Sequence, residues 1–364
     1  MDPAKHRVSL YGSATVGLLF FMVFSPGTGQ AAQNYQIFVS NERSADVTVI
    51  NGGDYKVLGT IEVGKRPRGI HASPDGKTVY VAVSGTPLAA PPKLDVHGNP
   101  IFVREKADDD TDAQSDKSAD AIAVIDVAQR TVIGKISGGS DPEEFALSKD
   151  GKKIYVSNED VKAASVIDIA TAKVEHIVAV GQEPEGVAVT PDGRQFYVTC
   201  ESGGDIYVID VGSYTIVGQF KVQPRPRNVA FSPDAALGFI PSESAGILNV
   251  IDTAHYKVLK TIALPEGSRP MAAKLSPDGK LLYVSNGRGG TISVIDSHTY
   301  AILDTIKVGT RPWGIALSPD GKFLYSANGP SNDVSVVDLQ LNKEVTKIKA
   351  GMSPWSVTVA AVGR

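Results

Sequence analysis

The chain has 364 residues, of which 42 % are hydrophobic, 21 % charged and 7 % aromatic, a balance that excludes a disordered or fibrous protein. Its formal net charge of −4 gives no general attraction to nucleic acid or to anionic membranes. The single cysteine, Cys200, excludes an intrachain disulfide, a cysteine-based zinc site, an iron–sulfur cluster and covalent haem attachment.

The N-terminal segment, residues 1–31, is predicted to be a secretory signal peptide. Basic residues at 5–7 precede an apolar run at 16–24, and small residues at 29–32 supply a cleavage site. The apolar run is short for a membrane span, although an uncleaved anchor is the alternative. We therefore expect a periplasmic or secreted protein that starts near Ala32 and has no membrane association after cleavage.

Beyond the signal segment, three sequence features recur with a period near 42 residues. They are a Ser-Pro-Asp-Gly-like turn, an apolar strand that ends in Asp or Asn, and a proline in a short Gly-x-x-Pro-like turn. One step is 75 residues long, which is 42 plus an insertion of 33. The repeat prolines are Pro67, Pro142, Pro184, Pro226, Pro270, Pro312 and Pro354.

Each repeat contains four short runs of β-branched and aromatic residues that are bounded by turn residues. In residues 184–222 these runs read EGVAVT, QFYVTC, DIYVID and TIVGQF. Four strands at this period are typical of a β-propeller blade. A solenoid usually has shorter coils and capping ends, and a sandwich would not repeat so regularly. The sequence therefore predicts an all-β, seven-bladed β-propeller over residues 32–364.

The two ends of the repeat region predict how the ring closes. Residues 37–41 match the second strand of a repeat, and residues 354–359 match the first strand. The C-terminal strand is therefore expected to join the N-terminal blade, which leaves no unpaired blade edge at the seam.

Alternating strand direction places the turn before each first strand and the loop after each second strand on one face, which we call the mouth. The Pro-Asp-Gly turns are expected on the opposite face, where proline, glycine and a capping aspartate set the turn geometry. The insertion at residues 85–119 falls on the mouth face. It is interpreted as a partly ordered lid or partner-binding arm, with a solvated linker as the alternative.

An acidic stretch inside the insertion is a candidate calcium site, because alternate aspartates bring hard oxygen ligands together. The candidate ligands are Asp108, Asp110 and Asp112. The stretch lacks the central glycine and terminal glutamate of an EF-hand, and acidic runs are usually only solvated. No other cofactor is expected.

The residues that follow the repeat prolines are expected to ring the mouth, and their chemistry is divided between an Arg/Glu sector and an aromatic sector. Arginine recognises carboxylate or phosphate through bidentate hydrogen bonds, and tryptophan offers a surface for stacking. This division therefore favours an asymmetric ligand pocket. The alternative is Arg–Glu pairing between blades that only balances buried charge. The ring comprises Arg68, Glu143, Glu185, Arg227, Met271, Trp313 and Trp355, and the acids that follow the second strands are Glu42, Glu159, Glu201 and Glu243.

His71 is the only histidine expected near the channel. It stands on a first strand where most repeats have alanine, and Lys274 holds the matching place in a later repeat. It is a candidate ligand-binding residue or a general base beside a glutamate, with a packed, hydrogen-bonded histidine as the alternative.

The second strands read Tyr-Val-Ser-Asn at 155–158 and 283–286 and Tyr-Val-Thr-Cys at 197–200. With the recurring turns and strand ends, they resemble the YVTN family of β-propeller repeats. The resemblance implies an exported propeller. Some members are similar to proteins associated with quinoprotein alcohol catabolism, and propellers of similar shape include lactonases. The two tryptophans, Trp313 and Trp355, do not form the repeated tryptophan pattern of the quinoprotein dehydrogenases.

No Gly-x-Ser-x-Gly motif, P-loop or dinucleotide fingerprint is present. The favoured hypothesis is a monomeric, non-enzymatic binding or scaffold propeller that recognises a periplasmic protein partner or a small ligand at the mouth. A role as an accessory of periplasmic oxidation is a version of it, and no nucleic acid is expected. The alternative is a lactonase-type hydrolase or isomerase that uses arginine and glutamate residues of the mouth.

Overall fold

The computed structural model describes residues 35–88 and 115–362, together with the backbone of residues 93, 94, 100 and 101. Residue contacts divide the chain into Met1–Ala32 and Gln33–Arg364, and all described residues belong to the second unit. The predicted signal segment and the predicted calcium ligands lie outside the described residues. Within the described part of the chain, no helix has the length and apolarity needed to cross a membrane.

The described residues form seven four-stranded antiparallel sheets, which confirms the predicted seven-bladed β-propeller. Blades 1–6 are numbered by the repeat prolines from Pro67 to Pro312, and blade 7 contains Pro354. Blade 7 contains β1 (Tyr35–Asn41), β2 (Asp46–Asn51), β3 (Val57–Glu62) and β30 (Pro354–Ala361). Blade 1 contains β4 (Ile70–Ala72), β5 (Thr78–Val83), β8 (Ala121–Asp126) and β9 (Thr131–Ile136). The inserted segment between β5 and β8 contributes β6 (Lys93–Leu94), β7 (Pro100–Ile101) and a short 3-10 helix (Lys117–Ala119).

The remaining blades each use four consecutive strands. Blade 2 has β10 (Pro142–Leu147), β11 (Lys153–Asn158), β12 (Ala163–Asp168) and β13 (Lys173–Ala179). Blade 3 has β14 (Pro184–Val189), β15 (Gln195–Cys200), β16 (Asp205–Asp210) and β17 (Ile216–Lys221). Blade 4 has β18 (Ala230–Phe231), β19 (Leu237–Ser242), β20 (Ile247–Asp252) and β21 (Lys257–Ala263). Blade 5 has β22 (Pro270–Leu275), β23 (Leu281–Asn286), β24 (Thr291–Asp296) and β25 (Ile302–Lys307), and blade 6 has β26 (Pro312–Leu317), β27 (Phe323–Asn328), β28 (Asp333–Asp338) and β29 (Lys343–Lys349).

Ring closure follows the predicted scheme. β1 pairs with β30 in antiparallel register, with Ile37 opposite Val359 and Val39 opposite Val357. Because Tyr35 pairs with Ala361, the two ends of the propeller meet on one sheet. The N-terminal strand therefore has a neighbour on both sides, and the ring has no open edge at the seam.

The Pro-Asp-Gly turns are built as local structural caps. In the first of them, Ser73 Oγ donates to Asp75 Oδ1 at 2.6 Å, and the Lys77 N–H donates to the same oxygen at 3.1 Å. Gly76 has a φ of 69°, and a Cβ there would lie 2.9 Å from the Ala361 carbonyl oxygen. Glycine suits this backbone conformation, which Ala235 also adopts in the equivalent turn of blade 4, and the close approach of β30 leaves no room for a side chain at Gly76.

Two first strands are shorter than the repeat predicts: β4 has three residues and β18 has two. In blade 4 the second strand contains Pro241, which has no N–H to give to the ladder. Further backbone hydrogen bonds continue the pairing beyond the short strands. The Arg227 N–H donates to the Pro241 carbonyl at 3.0 Å, and the Arg68 N–H donates to the Ala82 carbonyl at 2.9 Å.

Candidate functional site

The first strands of the blades supply the wall of the central channel. Residues two and four places after the repeat prolines are on the same face of each strand, because successive side chains alternate. Most of them are small, which leaves the channel open. The residues two places on are Gly69, Glu144, Gly186, Asn228, Ala272, Gly314 and Ser356, and those four places on are His71, Ala146, Ala188, Ala230, Lys274, Ala316 and Thr358.

Two cavities occupy the channel. The upper cavity, of about 130 Å³, runs from the mouth residues down to His71 and Lys274. The lower cavity, of about 490 Å³, runs from the same two residues to the turns at Pro191 and Pro233 on the opposite face. Both cavities are lined by His71, Glu144, Asn228, Ala273 and Lys274, a set that we call the waist.

Five predicted mouth residues and His71 line the upper cavity. The five are Glu185, Arg227, Met271, Trp313 and Trp355. The other predicted ring members, Arg68 and Glu143, are not part of its lining. The predicted set is therefore divided between a cavity and a separate ion-pair network.

That separate network is centred on Arg68 and connects three blades. Arg68 Nε donates to Glu42 Oε1 of blade 7 at 3.0 Å, and its Nη1 pairs closely with Glu143 of blade 2. Arg66 adds a contact of 3.4 Å to Glu42 Oε1 and one of 3.6 Å to Asp141 Oδ1. Glu143 is fully buried, so these guanidinium groups balance carboxylates that are removed from water.

A second network is centred on Arg227, which is 5 % exposed. Its guanidinium contacts Glu185 Oε1 at 2.9 Å and pairs closely with Glu201 and Glu243. Arg225 lies 2.8 Å from Glu201 and 3.3 Å from Glu243. Arg227 is therefore shared by three carboxylates from two blades and is held in one orientation.

The pKa shifts of the mouth acids differ because their counter-charges differ. Burial acts to raise the pKa of Glu243, but the attraction of Arg227 and Arg225 outweighs it and lowers the pKa to about 2. Burial raises the pKa of Glu159 to about 8, and the carboxylates of Glu185 and Asp141 add to this effect. Glu159 therefore holds its proton near neutral pH, and burial also raises the pKa of Glu201 well above its ordinary value.

The aromatic sector of the mouth is a contact between blades 6 and 7. The rings of Trp313 and Trp355 have centroids 5.0 Å apart and are tilted by 43°. The Arg227 guanidinium lies 5.4 Å from the Trp313 ring, and that of Arg311 lies 5.0 Å from it. These distances suit cation–π attraction, so Trp313 joins the charged and aromatic sectors.

Hydroxyl groups on the second strands hold the backbone of the mouth ring in the neighbouring blade. Each hydroxyl donates to the carbonyl of a ring residue in the next blade. The pairs are Ser40 with Arg68, Ser157 with Glu185, Thr199 with Arg227 and Ser285 with Trp313. Serine or threonine at this position of the Tyr-Val-Ser/Thr motif thus positions the backbone of the mouth residues. The strand pattern did not predict this role.

At the waist, His71 forms a polar pair with Glu144 of the next blade. His71 Nε2 lies 2.7 Å from Glu144 Oε1, and the Phe145 N–H donates to the same carboxylate oxygen at 2.9 Å. The His71 ring also packs edge-on against Phe145, with centroids 4.8 Å apart. A Cβ on Gly69 would lie 2.5 Å from Glu144 Oε1, so this glycine leaves room for the carboxylate.

Lys274 lies three blades from Glu144 around the ring and so on the other side of the channel. Its side chain is accessible to water from the lumen yet enclosed by the surrounding first strands. This enclosure lowers the pKa of its ammonium group, while the Glu144 carboxylate opposes the shift. Sequence reasoning missed Glu144 as a site residue, although both residues replace glycine or alanine at channel positions.

Among the residues that the structure describes, one carboxylate cluster has the spacing of a cation site. Oxygen atoms of Asp141, Glu143 and Glu159 lie within 4.8 Å of one another. The guanidinium groups of Arg66 and Arg68 contact two of these three residues. Positive charge is thus already supplied to the cluster by the protein, and we assign no metal to it.

Sequence comparisons divide the chain into two matched halves. Residues 186–357 match the profile of the family described as "Lactonase, 7-bladed beta-propeller". Residues 40–183 match the profile of a "Choice-of-anchor I domain". No curated protein matches the sequence.

Many solved structures share the fold. A chain of the hydrazine synthase of Kuenenia stuttgartiensis is 21 % identical, with a TM-score of 0.69, 86 % of this chain covered and 99 % of that one. A putative 6-phosphogluconolactonase from Bacteroides fragilis is 18 % identical, with a TM-score of 0.69 and coverages of 92 % and 99 %. The periplasmic gluconolactonase of Pseudomonas aeruginosa is 20 % identical, with a TM-score of 0.68 and coverages of 90 % and 99 %. At these identities the likeness shows the propeller fold alone.

Proposed function

We propose that this propeller hydrolyses a small lactone bound in the upper cavity. The observation that carries the proposal is the His71–Glu144 pair, which lines that cavity and joins a proton acceptor to a carboxylate. The lactonase profile covers the half of the chain that contributes Arg227, Trp313 and Trp355 to the same cavity. The hydrolase that the sequence offered as an alternative is thus better supported than a non-enzymatic scaffold.

The pair provides the proton transfers that lactone hydrolysis needs. Water adds to the ring carbonyl carbon, the ring C–O bond then breaks, and a hydroxy acid is released. With the Nε2–H of His71 donated to Glu144, Nδ1 accepts the proton of the attacking water. The same nitrogen returns the proton to the departing ring oxygen, so that no net proton is held by the enzyme.

The other cavity residues suit recognition of a small polar ring. A volume of about 130 Å³ is below the roughly 300–1,000 Å³ of drug-sized sites, so we expect a monocyclic substrate. Trp313 and Trp355 offer a stacking surface, and Glu185 offers a hydrogen-bond acceptor. Arg227 lines the same cavity and is held in one orientation by its three carboxylate partners.

The test is a pH-stat assay of δ- and γ-lactone hydrolysis with the full chain and with His71→Asn. Because general-base catalysis contributes about 10²–10⁴-fold, we expect His71→Asn to lower kcat by at least a hundredfold. His255→Asn is the matched control, since His255 is exposed and pairs with Asp252 away from the channel. Its kcat should equal that of the wild type.

The proposal fails if the wild type hydrolyses none of these lactones above the buffer rate. It also fails if His71→Asn keeps the wild-type kcat while the lactones are hydrolysed. Circular dichroism of both variants separates loss of catalysis from loss of the fold.

We also propose that the N-terminal segment at 1–31 directs export to the periplasm, where such a lactonase would meet sugar-derived lactones. The support is the basic, apolar and small-residue order of the segment. Fractionation of expressing cells should recover a shortened chain in the periplasmic fraction. Recovery of the full-length chain in the cytoplasm would contradict this proposal.

A further inference from the structure

We propose that the lower cavity is a second ligand site, which binds a carboxylate that carries an apolar chain. The carboxylate of the ligand lies at Lys274, and the apolar chain of the ligand points to the turn face. The site lies on the far side of the waist from the mouth. Lys274 lines both cavities, but the apolar lining that the proposal needs belongs to the lower cavity, and Lys274 has no role in the proposed lactone hydrolysis.

The first support is the charge of Lys274. No hydrogen bond or ion pair joins its ammonium group to any described residue, whereas the guanidinium groups of Arg66, Arg68, Arg225 and Arg227 at the mouth are all paired. The nearest acid at the waist, Glu144, is already bonded to His71. Lys274 is therefore a cation inside the channel that a ligand anion can pair with.

The second support is the apolar wall below Lys274. Apolar residues of the first strands line the lower cavity toward the turn face. Ala146, Ala188 and Ala230 are at channel-facing positions, and Leu147, Val189, Phe231 and Leu275 also pack against the blade cores. Within this lining, the charged residues are Lys274 and the His71–Glu144 pair, and all three are at the waist. An elongated ligand can therefore place its charge at one end of the cavity and its hydrocarbon at the other.

The third support is size. The volume of about 490 Å³ lies within the roughly 300–1,000 Å³ range of small-molecule sites, and is larger than the upper cavity of about 130 Å³. An inorganic anion alone would leave most of this apolar space unfilled. A carboxylate with a chain of several carbon atoms complements both the volume and the charge of the cavity.

Calorimetric titration of the full chain with butanoate, hexanoate and octanoate tests the site. Each methylene buried should tighten binding by about fourfold, so affinity should rise along the series. Octanol tests the need for the anionic head group, and octyl phosphate tests whether a phosphate replaces the carboxylate.

Three variants locate the ligand. Lys274→Met keeps the length of the side chain but removes its charge, and should weaken octanoate binding by about tenfold or more. Ala188→Met fills the lower cavity and should also weaken binding. Lys280→Met is the matched control, because Lys280 is exposed on the turn face and lies beside Asp278. It should bind octanoate as the wild type does.

The proposal is overturned if octanoate does not bind at millimolar concentration, if affinity is independent of chain length, or if octanol binds as tightly as octanoate. It is also overturned if Lys274→Met and Lys280→Met bind octanoate equally. Lys274→Arg keeps the charge and should retain binding, which separates loss of the cation from a folding defect. Tighter binding of octyl phosphate than of octanoate would replace the carboxylate head group and overturn that part of the proposal.

Discussion

At the scale of single residues, the mouth shows how differently one residue type behaves when its counter-charges differ. Glu243 contacts Arg225, Arg227 and Arg269, and its pKa falls to about 2. Glu159 follows the second strand of blade 2 in the equivalent place, but burial and nearby acids raise its pKa to about 8. Glu243 favours the folded state when it is ionised, whereas Glu159 favours the folded state when it is protonated.

The shift of Glu159 predicts a pH dependence of stability. The pKa of about 8 in the folded protein lies above the ordinary value of 4.5, so the contribution of Glu159 to stability is fully present below pH 4.5 and is lost as the pH rises through 8. The glutamine in Glu159→Gln cannot ionise, so the variant does not lose stability as the pH rises. We expect the variant to match the wild type near pH 4 and to have a larger free energy of unfolding at pH 9.

Urea unfolding at pH 4, 7 and 9 measures this difference, which is at most about 1.4 kcal/mol per pH unit within the window. Glu266→Gln, at an exposed loop position, serves as the control and should follow the wild type at each pH. Equal curves for the two variants would show that Glu159 does not carry the effect.

At the scale of the strand, the Tyr-Val-Ser/Thr motif does more than fill the interface between blades. Its hydroxyl on the second strand fixes the carbonyl of the mouth residue in the next blade, as Thr199 does for Arg227. Thr199 Oγ1 also accepts the N–H of Gly186 at 2.9 Å. In blades 1, 4 and 6 the equivalent positions are Ala82, Pro241 and Ala327, so the mouth residues that follow them are not held in this way.

Thr199→Val should therefore be destabilising although the two side chains have nearly the same shape. It leaves a buried carbonyl and a buried N–H without partners, which costs about 1–3 kcal/mol. The free energy of unfolding in urea measures the loss. Thr346→Val, on the exposed face of β29, should change it by less than about 0.5 kcal/mol. Similar changes in both variants would contradict a positioning role for Thr199.

At the scale of the whole molecule, stability depends on closing the ring. β30 supplies the first strand of blade 7, and its removal would expose the edge of β1, where Ile37 and Val39 are fully buried. An exposed apolar edge strand favours aggregation. Blade 7 would also lose Trp355 from the mouth.

Deletion of residues 354–364 is therefore expected to abolish cooperative thermal unfolding and to give aggregated protein. The control is a circular permutant that joins residue 362 to residue 35 by a short linker and opens the chain between His298 and Thr299. It keeps every strand, and Tyr35 and Ala361 are already paired, so it should fold. A truncated protein with a wild-type transition would show that closure is dispensable.

The sequence by itself determined the blade count, the strand order within each blade and the closure of the ring. The blade count and the strand order depend on contacts between strands that are close in the chain, and repeated turns such as Ser73-Pro74-Asp75-Gly76 make them visible. Ring closure joins the two ends of the chain, and it was predictable because each end carries a different part of the same repeat. The same repeat predicted that Arg227 and Trp313 belong to the mouth and that His71 approaches the channel. All three residues line the upper cavity, and His71 also lines the lower one.

Only the tertiary structure decided which side chains meet. His71 and Glu144 are 73 positions apart, and Arg227 reaches the ring of Trp313 from two blades away. Such contacts depend on the rotation between blades and on the reach of each side chain, neither of which a period of 42 residues contains. The physical reason is that a blade is specified by local strand pairing, whereas the channel is specified by residues that converge from the whole ring.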